Sequence, residues 1–179
     1  MPRLLNAKQK HRSLKLGEKK PYSYCNQLGL TEPNGPFEVG ASVWLVKRED
    51  EKTFVLFQKR SEKVQHGGFY DSSAGGHVDA GEDILIAAIR ETEEEIGLKL
   101  SPDELKLVCS YMTDKKFITV YLSDRTGKND ELKLNDEVES VEWVSLDDFD
   151  MFVRARVKPP LRELLPHLPV LRFFIENYL

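Results

Sequence analysis

Residues 76–98, GHVDAGEDILIAAIRETEEEIGL, limit this chain more than any other stretch. Gly76, Glu82, Arg90, Glu91, Glu94, Glu95 and Gly97 form a pattern of identity and spacing within it. With each residue type used at about 6%, chance produces that pattern on the order of once in a million such chains, so it is not an accident of composition. No Gly or Pro interrupts Asp83–Ile96, which predicts a single helix, and Gly97 stands where a left-handed C-cap belongs. At about 100° per residue, Leu85, Ala88, Ile89, Thr92 and Ile96 fall in one stripe that is expected to pack on a sheet. Glu91, Glu94 and Glu95, spaced i, i+3, i+4, share a second face. Ile86 and Glu93 are left for solvent.

Three carboxylates on one face repel, at about 0.2–0.5 kcal/mol per exposed pair and more on closer approach. A divalent cation removes that penalty, and hard oxygen ligands suit Mg²⁺ or Mn²⁺. Arg90, four residues before Glu94, is placed to orient a carboxylate through a bidentate pair. An isolated acidic run is ordinarily a solvated helix face. Here a glycine loop and an arginine accompany it at fixed distances, which favours a site.

The stretch resembles the Nudix box, G-x5-E-x7-R-E-U-x-E-E-x-G-U with U a bulky aliphatic residue, through Gly76, Glu82, Arg90, Glu91, Glu94, Glu95, Gly97 and Leu98. Thr92 departs from it, standing at an aliphatic position. Its methyl can substitute on the packed stripe while its hydroxyl bonds the carbonyl of Ala88. The resemblance implies an α/β fold, an α/β/α sandwich on a mixed sheet. It also implies an Mg²⁺- or Mn²⁺-dependent pyrophosphohydrolase acting on a nucleoside diphosphate linked to another group. In that reading the Gly76 carbonyl, Glu91, Glu94 and Glu95 are metal ligands. Glu94 or Glu137 takes the proton of the attacking water, Arg90 orients a carboxylate and Glu82 braces the loop. Arg60, at the end of the second strand, and His77 are candidate substrate contacts.

The 179 residues suffice for one domain with a sizeable core. A net charge of −4 gives no overall reason to expect a nucleic-acid partner. No segment reaches the roughly 18 apolar residues of a membrane span. Cys25 and Cys109 show neither metal spacing nor a disulfide framework, so a reducing cytoplasm is the simplest setting. Residues 1–36 read as a basic N-terminal extension and loop, with seven Lys/Arg and one acid in the first twenty. The domain is expected over 37–150, with 151–179 as a helical tail packed on it.

Phe37–Lys47 and Thr53–Arg60 are strand-like, joined by a polar turn at Arg48–Lys52. Residues 67–76 form a glycine-rich loop whose backbone can approach a ligand closely. Leu105–Thr113 and Phe117–Ser123 read as strands around Asp114–Lys116, and 124–135 as a polar loop. Val138–Val144 reads as a short strand, with a helix from about Leu146. Pro159, Pro160, Pro166 and Pro169 prevent one continuous helix in the tail. Val170–Leu179 is expected to pack as a terminal helix or to join a homodimer interface.

Two rivals share the same resemblance. One is a non-catalytic Nudix module that binds a nucleotide or RNA, although such modules usually lose some of the acids retained here. The other is an isomerase, because SSAGGHVDAGE also resembles the loop of isopentenyl-diphosphate isomerases. Their catalytic cysteine falls at Gly75, and glycine cannot transfer a proton. Motifs of the NADH, coenzyme A, ADP-ribose and diadenosine polyphosphate subfamilies are not matched.

Overall fold

The computed structural model describes residues 38–112, 116–125, 132–157 and 168–178. The basic arm, Cys25 and much of the 124–135 loop lie outside them. Strand β1 (Glu38–Glu49) is the hub of a seven-stranded mixed sheet. Its first part runs parallel to β6 (Lys116–Ser123) and antiparallel to β4 (Ala74–His77), and its last part pairs antiparallel with β2 (Lys52–Arg60). Beyond β2 lie β3 (Tyr70–Asp71) and β7 (Val138–Ser145), and β5 (Lys106–Met112) flanks β6. A parallel β1–β6 pair needs a crossover connection. That connection carries helix α1 (Ile84–Ile96).

Both faces of β1 are buried, which is why its middle reads ASVWLV without polar alternation. Val39, Ala41, Val43 and Leu45 face α1 together with Leu56 and Ala74. Trp44 and Val46 face the opposite core, with Phe57, Leu122 and Val144. Helices α2 (Phe149–Arg156) and α3 (Leu168–Tyr178) close that side with Phe149, Val153, Leu171 and Ile175. Trp44 and Phe57 meet edge-on at 5.3 Å and 84°, an arrangement worth about 0.5–1.5 kcal/mol beyond its buried area. The result is the α/β/α sandwich on a mixed sheet. No helix among the described residues is long and apolar enough to cross a membrane.

Three local expectations change. The Arg48–Lys52 turn tightens to Asp50 and Glu51, both at positive φ (48° and 61°), so the strands continue to Glu49 and Lys52 around a two-residue hairpin turn. The glycine-rich loop contains two short strands, β3 and β4, recruited by pairing with β2 and β1. The last helix begins at Leu168, with Pro169 in its first turn, where the missing N–H costs no helical bond.

Candidate active site

Helix α1 is closed at both ends by its own sequence. Asp83 accepts a hydrogen bond from the Leu85 N–H at 3.0 Å, and Gly97, at φ 71°, donates its N–H to the Glu93 carbonyl at 3.0 Å. Thr92 donates its hydroxyl to the Ala88 carbonyl at 2.7 Å, as its place on the packed stripe suggests. The buried face differs from the expected stripe. Ile84, Ala87, Ala88, Thr92, Glu95 and Ile96 are buried, while Leu85 and Ile89 are only half covered. The helix turns its Ala87–Glu91–Glu95 side toward β4.

That rotation grades the three acids instead of presenting them together. The Glu94 side chain is 55% exposed, that of Glu91 16%, and Glu95 is buried. Glu91 lies so close to the glycine loop that a Cβ at Gly76 would overlap its carboxylate, 2.5 Å from Oε2. A side chain fits there only if that carboxylate gives way.

Arg90 organises the corner. Its Nε and Nη2 donate to the two oxygens of Glu82, each at 2.9 Å, in a bidentate pair. Nη2 also donates to the His77 carbonyl at 3.0 Å. Nη1 donates to Glu91 Oε1 at 2.9 Å and Glu94 Oε2 at 3.1 Å. Glu82 in turn accepts the Asp79 N–H at 3.0 Å. One guanidinium therefore locks the glycine loop to the acidic turn of α1.

The electrostatics follow from burial. The Arg90 guanidinium holds the Glu82 carboxyl below its ordinary range, and its acidic partners push the Arg90 pKa further up. Burial raises Glu91 despite Arg90, with Glu94 adding repulsion. Burial raises Glu95 from 4.5 to about 7, against the pull of the Gly75 N–H and Gln58 and with the Asp71 charge adding to the rise.

The remaining candidates spread outward. Arg60 donates Nε to the Gln65 carbonyl at 2.9 Å and sits 3.6 Å from Asp71 Oδ2. Its side chain is 17% exposed, so it braces the 61–69 loop. His77, 70% exposed, lies 3.7 Å from Glu38 at the rim. Glu137 is exposed just before β7, and its carbonyl accepts the Ser61 N–H at 2.8 Å. Gln58 and Asp71, both buried beside Glu95, were not singled out from the sequence. The one available signal was a polar residue, Gln58, two places after Leu56 on the inward-facing parity of β2.

Among the described residues, no three His, Cys, Asp or Glu side chains converge on one point as a metal cage. Glu91 and Glu94 turn to Arg90, and Glu95 turns to Gln58 and Gly75. The donor chemistry still fits a hard divalent cation. Carboxylates at i, i+3 and i+4 adjoin a loop whose backbone the Glu91 carboxylate approaches too closely for an undisturbed Cβ at Gly76, and Glu94 is exposed enough to re-aim.

Fold and site define an α/β protein whose acidic helical turn is clamped to a glycine loop by one arginine. The family model for the NUDIX domain matches residues 36–168, and the chain belongs to the Nudix family. An uncharacterized Nudix hydrolase of Clostridium acetobutylicum is 30% identical over 124 residues, 64% of this chain and 60% of that protein. The chain thus spans less than two thirds of that relative. An isopentenyl-diphosphate Delta-isomerase of Cutibacterium acnes is 33% identical over 141 residues, 66% of this chain and 70% of its own. An asymmetrical bis(5'-nucleosyl)-tetraphosphatase of Rattus norvegicus is 31% identical over 112 residues, 58% of this chain and 73% of its own. The crystal structure of a C. elegans Ap4A hydrolase complex superposes with a TM-score of 0.55 at 22% identity, covering 75% of this chain and 96% of that one. At that identity the likeness is one of fold.

Proposed function

We propose that this chain is a divalent-metal-dependent pyrophosphohydrolase whose substrate is a nucleoside diphosphate linked to another group. The observation that carries the reading is Arg90, which ties Glu82, Glu91 and Glu94 to the loop at His77. Mg²⁺ or Mn²⁺ held by Glu91, Glu94, Glu95 and the Gly76 carbonyl would neutralise phosphate charge and acidify a water. Glu94, the most exposed of the three acids, would accept the proton of the attacking water. The water oxygen adds to phosphorus, the bridging P–O bond breaks, and the departing phosphate or nucleotide takes the electron pair. Glu137 is the second candidate for the base. His77 at the rim is the outer substrate contact, and Arg60 serves the site by holding the 61–69 loop.

Similarity to the Rattus norvegicus tetraphosphatase supports a nucleotide substrate. The test is release of phosphate or nucleoside monophosphate from a nucleotide panel with and without Mg²⁺. Glu94→Gln should lower turnover by at least about 10²-fold, the scale of a lost general base. Wild-type turnover in that variant would overturn the assignment of Glu94.

Similarity to the Cutibacterium acnes enzyme favours a second reading, isomerisation of a prenyl diphosphate. Gly75 weighs against it. The position offers no side chain to move a proton, and a Cβ there would come within 2.5 Å of the Ala41 carbonyl oxygen. Incubation with isopentenyl diphosphate in deuterated water decides: deuterium in the product would restore the isomerase reading.

A further inference from the structure

Gln58 sits at the middle of the sheet on β2, paired with Asp71 on β3 and Val141 on β7. It is 1% exposed, so its amide must be satisfied inside the protein or remain uncompensated. Nε2 donates to Glu95 Oε2 at 3.0 Å, and the Gly75 N–H donates to the same oxygen at 2.9 Å. Gln58 Oε1 is buried without a partner. The opposite amide orientation would set that oxygen against a carboxylate oxygen, lone pair to lone pair, so chemistry fixes which end is the donor.

The arrangement is lopsided in an informative way. A buried amide that serves only as a structural cross-link is ordinarily satisfied at both ends. Here one end is left unmet while the other adds a second donor to an oxygen that already has one. Two donors from two strands, β2 and β4, fix the plane of the Glu95 carboxyl. They occupy Oε2 and leave Oε1 without a hydrogen bond among the described residues.

We infer that Gln58 is a positioning residue for the metal site, holding the Glu95 carboxylate so that Oε1 is presented, already oriented, as a cation ligand. This rests on the metal-dependent reading proposed above. A donor on a central strand is well suited to the task, because β2 is paired on both sides and cannot follow the carboxyl if it turns. With the amide removed, Gly75 alone would hold Oε2, and the carboxyl would be free to rotate about its last torsion. The cation would then have to order a ligand that the wild type presents in advance.

The test is titration of Mn²⁺ into the full chain, read as the free-ion electron paramagnetic resonance signal, for the wild type, Gln58→Leu, Gln58→Asn and Glu95→Gln. Gln58→Leu removes the donor and the orphaned oxygen together at similar volume. It should bind Mn²⁺ about 10–100-fold more weakly, the usual loss when a partner of a metal ligand is removed. Its melting temperature should stay the same or rise. Gln58→Asn, whose amide is one carbon too short to reach, should weaken binding on the same scale and serves if the leucine variant fails to fold. In turnover, the metal concentration for half-activation should rise while kcat at saturating metal recovers, a split that a merely structural role would not produce. Mn²⁺ binding by folded Gln58→Leu or Gln58→Asn within twofold of wild type would overturn the role of Gln58 and leave the metal site standing. Absence of Mn²⁺ binding by the wild type, or unchanged binding in Glu95→Gln, would overturn the site and the inference together.

Discussion

Replacing Gly76 with alanine tests the heart of the site, because the clash it creates is local and its size can be worked out. The new Cβ would stand 2.5 Å from Glu91 Oε2, where ordinary contact begins near 3.4 Å. The carboxylate must therefore retreat by about 1 Å, pulling on the 2.9 Å bond from Arg90 Nη1. Displacement of a catalytic group on that scale costs about 10²-fold in rate. Stability should hardly move. Overpacking costs about 1–3 kcal/mol, at the low end here because the obstacle is the far end of a flexible side chain and not backbone. Gly76 is not at positive φ, so alanine recovers about 0.4–1 kcal/mol by restricting the unfolded chain. The melting temperature should thus stay within about 4 °C of wild type, while nucleotide hydrolysis with Mg²⁺ falls about 10²-fold. Gly81→Ala is the opposite control: nothing lies within 4 Å of its Cβ, but φ is +85°. It should lose about 1–2 kcal/mol of stability and keep its activity. Turnover within twofold of wild type in Gly76→Ala would refute the placement of Glu91 against the loop.

Three further perturbations separate the parts. Arg90→Lys keeps the charge but loses the bidentate pair to Glu82, so it should lower turnover by at least about 10-fold and destabilise by about 1–3 kcal/mol, read by kinetics and chemical denaturation. Ile175→Ala on α3, fully buried beside Leu171, should cost about 2–5 kcal/mol by denaturant melt if the last helix belongs to the core. Folding raises the Glu95 pKa from 4.5 to about 7, so the ionised form is penalised in the fold; the penalty is absent below about 4.5 and complete above about 7. Without divalent ions, Glu95→Gln should therefore be more stable than wild type by up to about 3 kcal/mol at pH 8, with the gap closing toward pH 4.5; a gap that widened on acidification would reverse the sign of the argument.

What the sequence revealed, it revealed through local rules. The extent of α1, its Asp83 and Gly97 caps and the Thr92 hydroxyl bond all depend on residues within four positions of one another. The graded burial of Glu91, Glu94 and Glu95 does not. A helical wheel gives their angular spacing, but β4 decides which side is covered, and β4 is a short, glycine-rich strand with no alternation to betray it. The parallel pairing of β1 with β6 joins segments more than seventy residues apart, and periodicity carries no information about partners. Gln58 was hidden for the same reason. Within β2 it reads as the first of three polar residues at a strand end, and only the packed helix reveals that it is enclosed.

The charge balance of the corner explains why a cation belongs to this reading. Arg90 brings one positive charge to Glu82, Glu91 and Glu94 together. Buried Glu95 lies beyond its reach, and burial first, with the charge of Asp71 behind it, already raises its pKa. A single guanidinium cannot neutralise that set, and two unit charges 4 Å apart interact by about 4 kcal/mol at the effective dielectric of a protein surface. The fold relieves part of the strain by letting Glu95 hold a proton near neutrality. Arg90 itself is committed on the loop side, with Nε and Nη2 engaged by Glu82 and the His77 carbonyl, so it cannot move to follow a substrate. A divalent ion held by Glu91, Glu94 and Glu95 would neutralise what Arg90 leaves over, while Nε and Nη2 keep their hold on the loop. Clamp and ligands are then two functions of one helical turn, joined where Arg90 Nη1 meets Glu91 and Glu94.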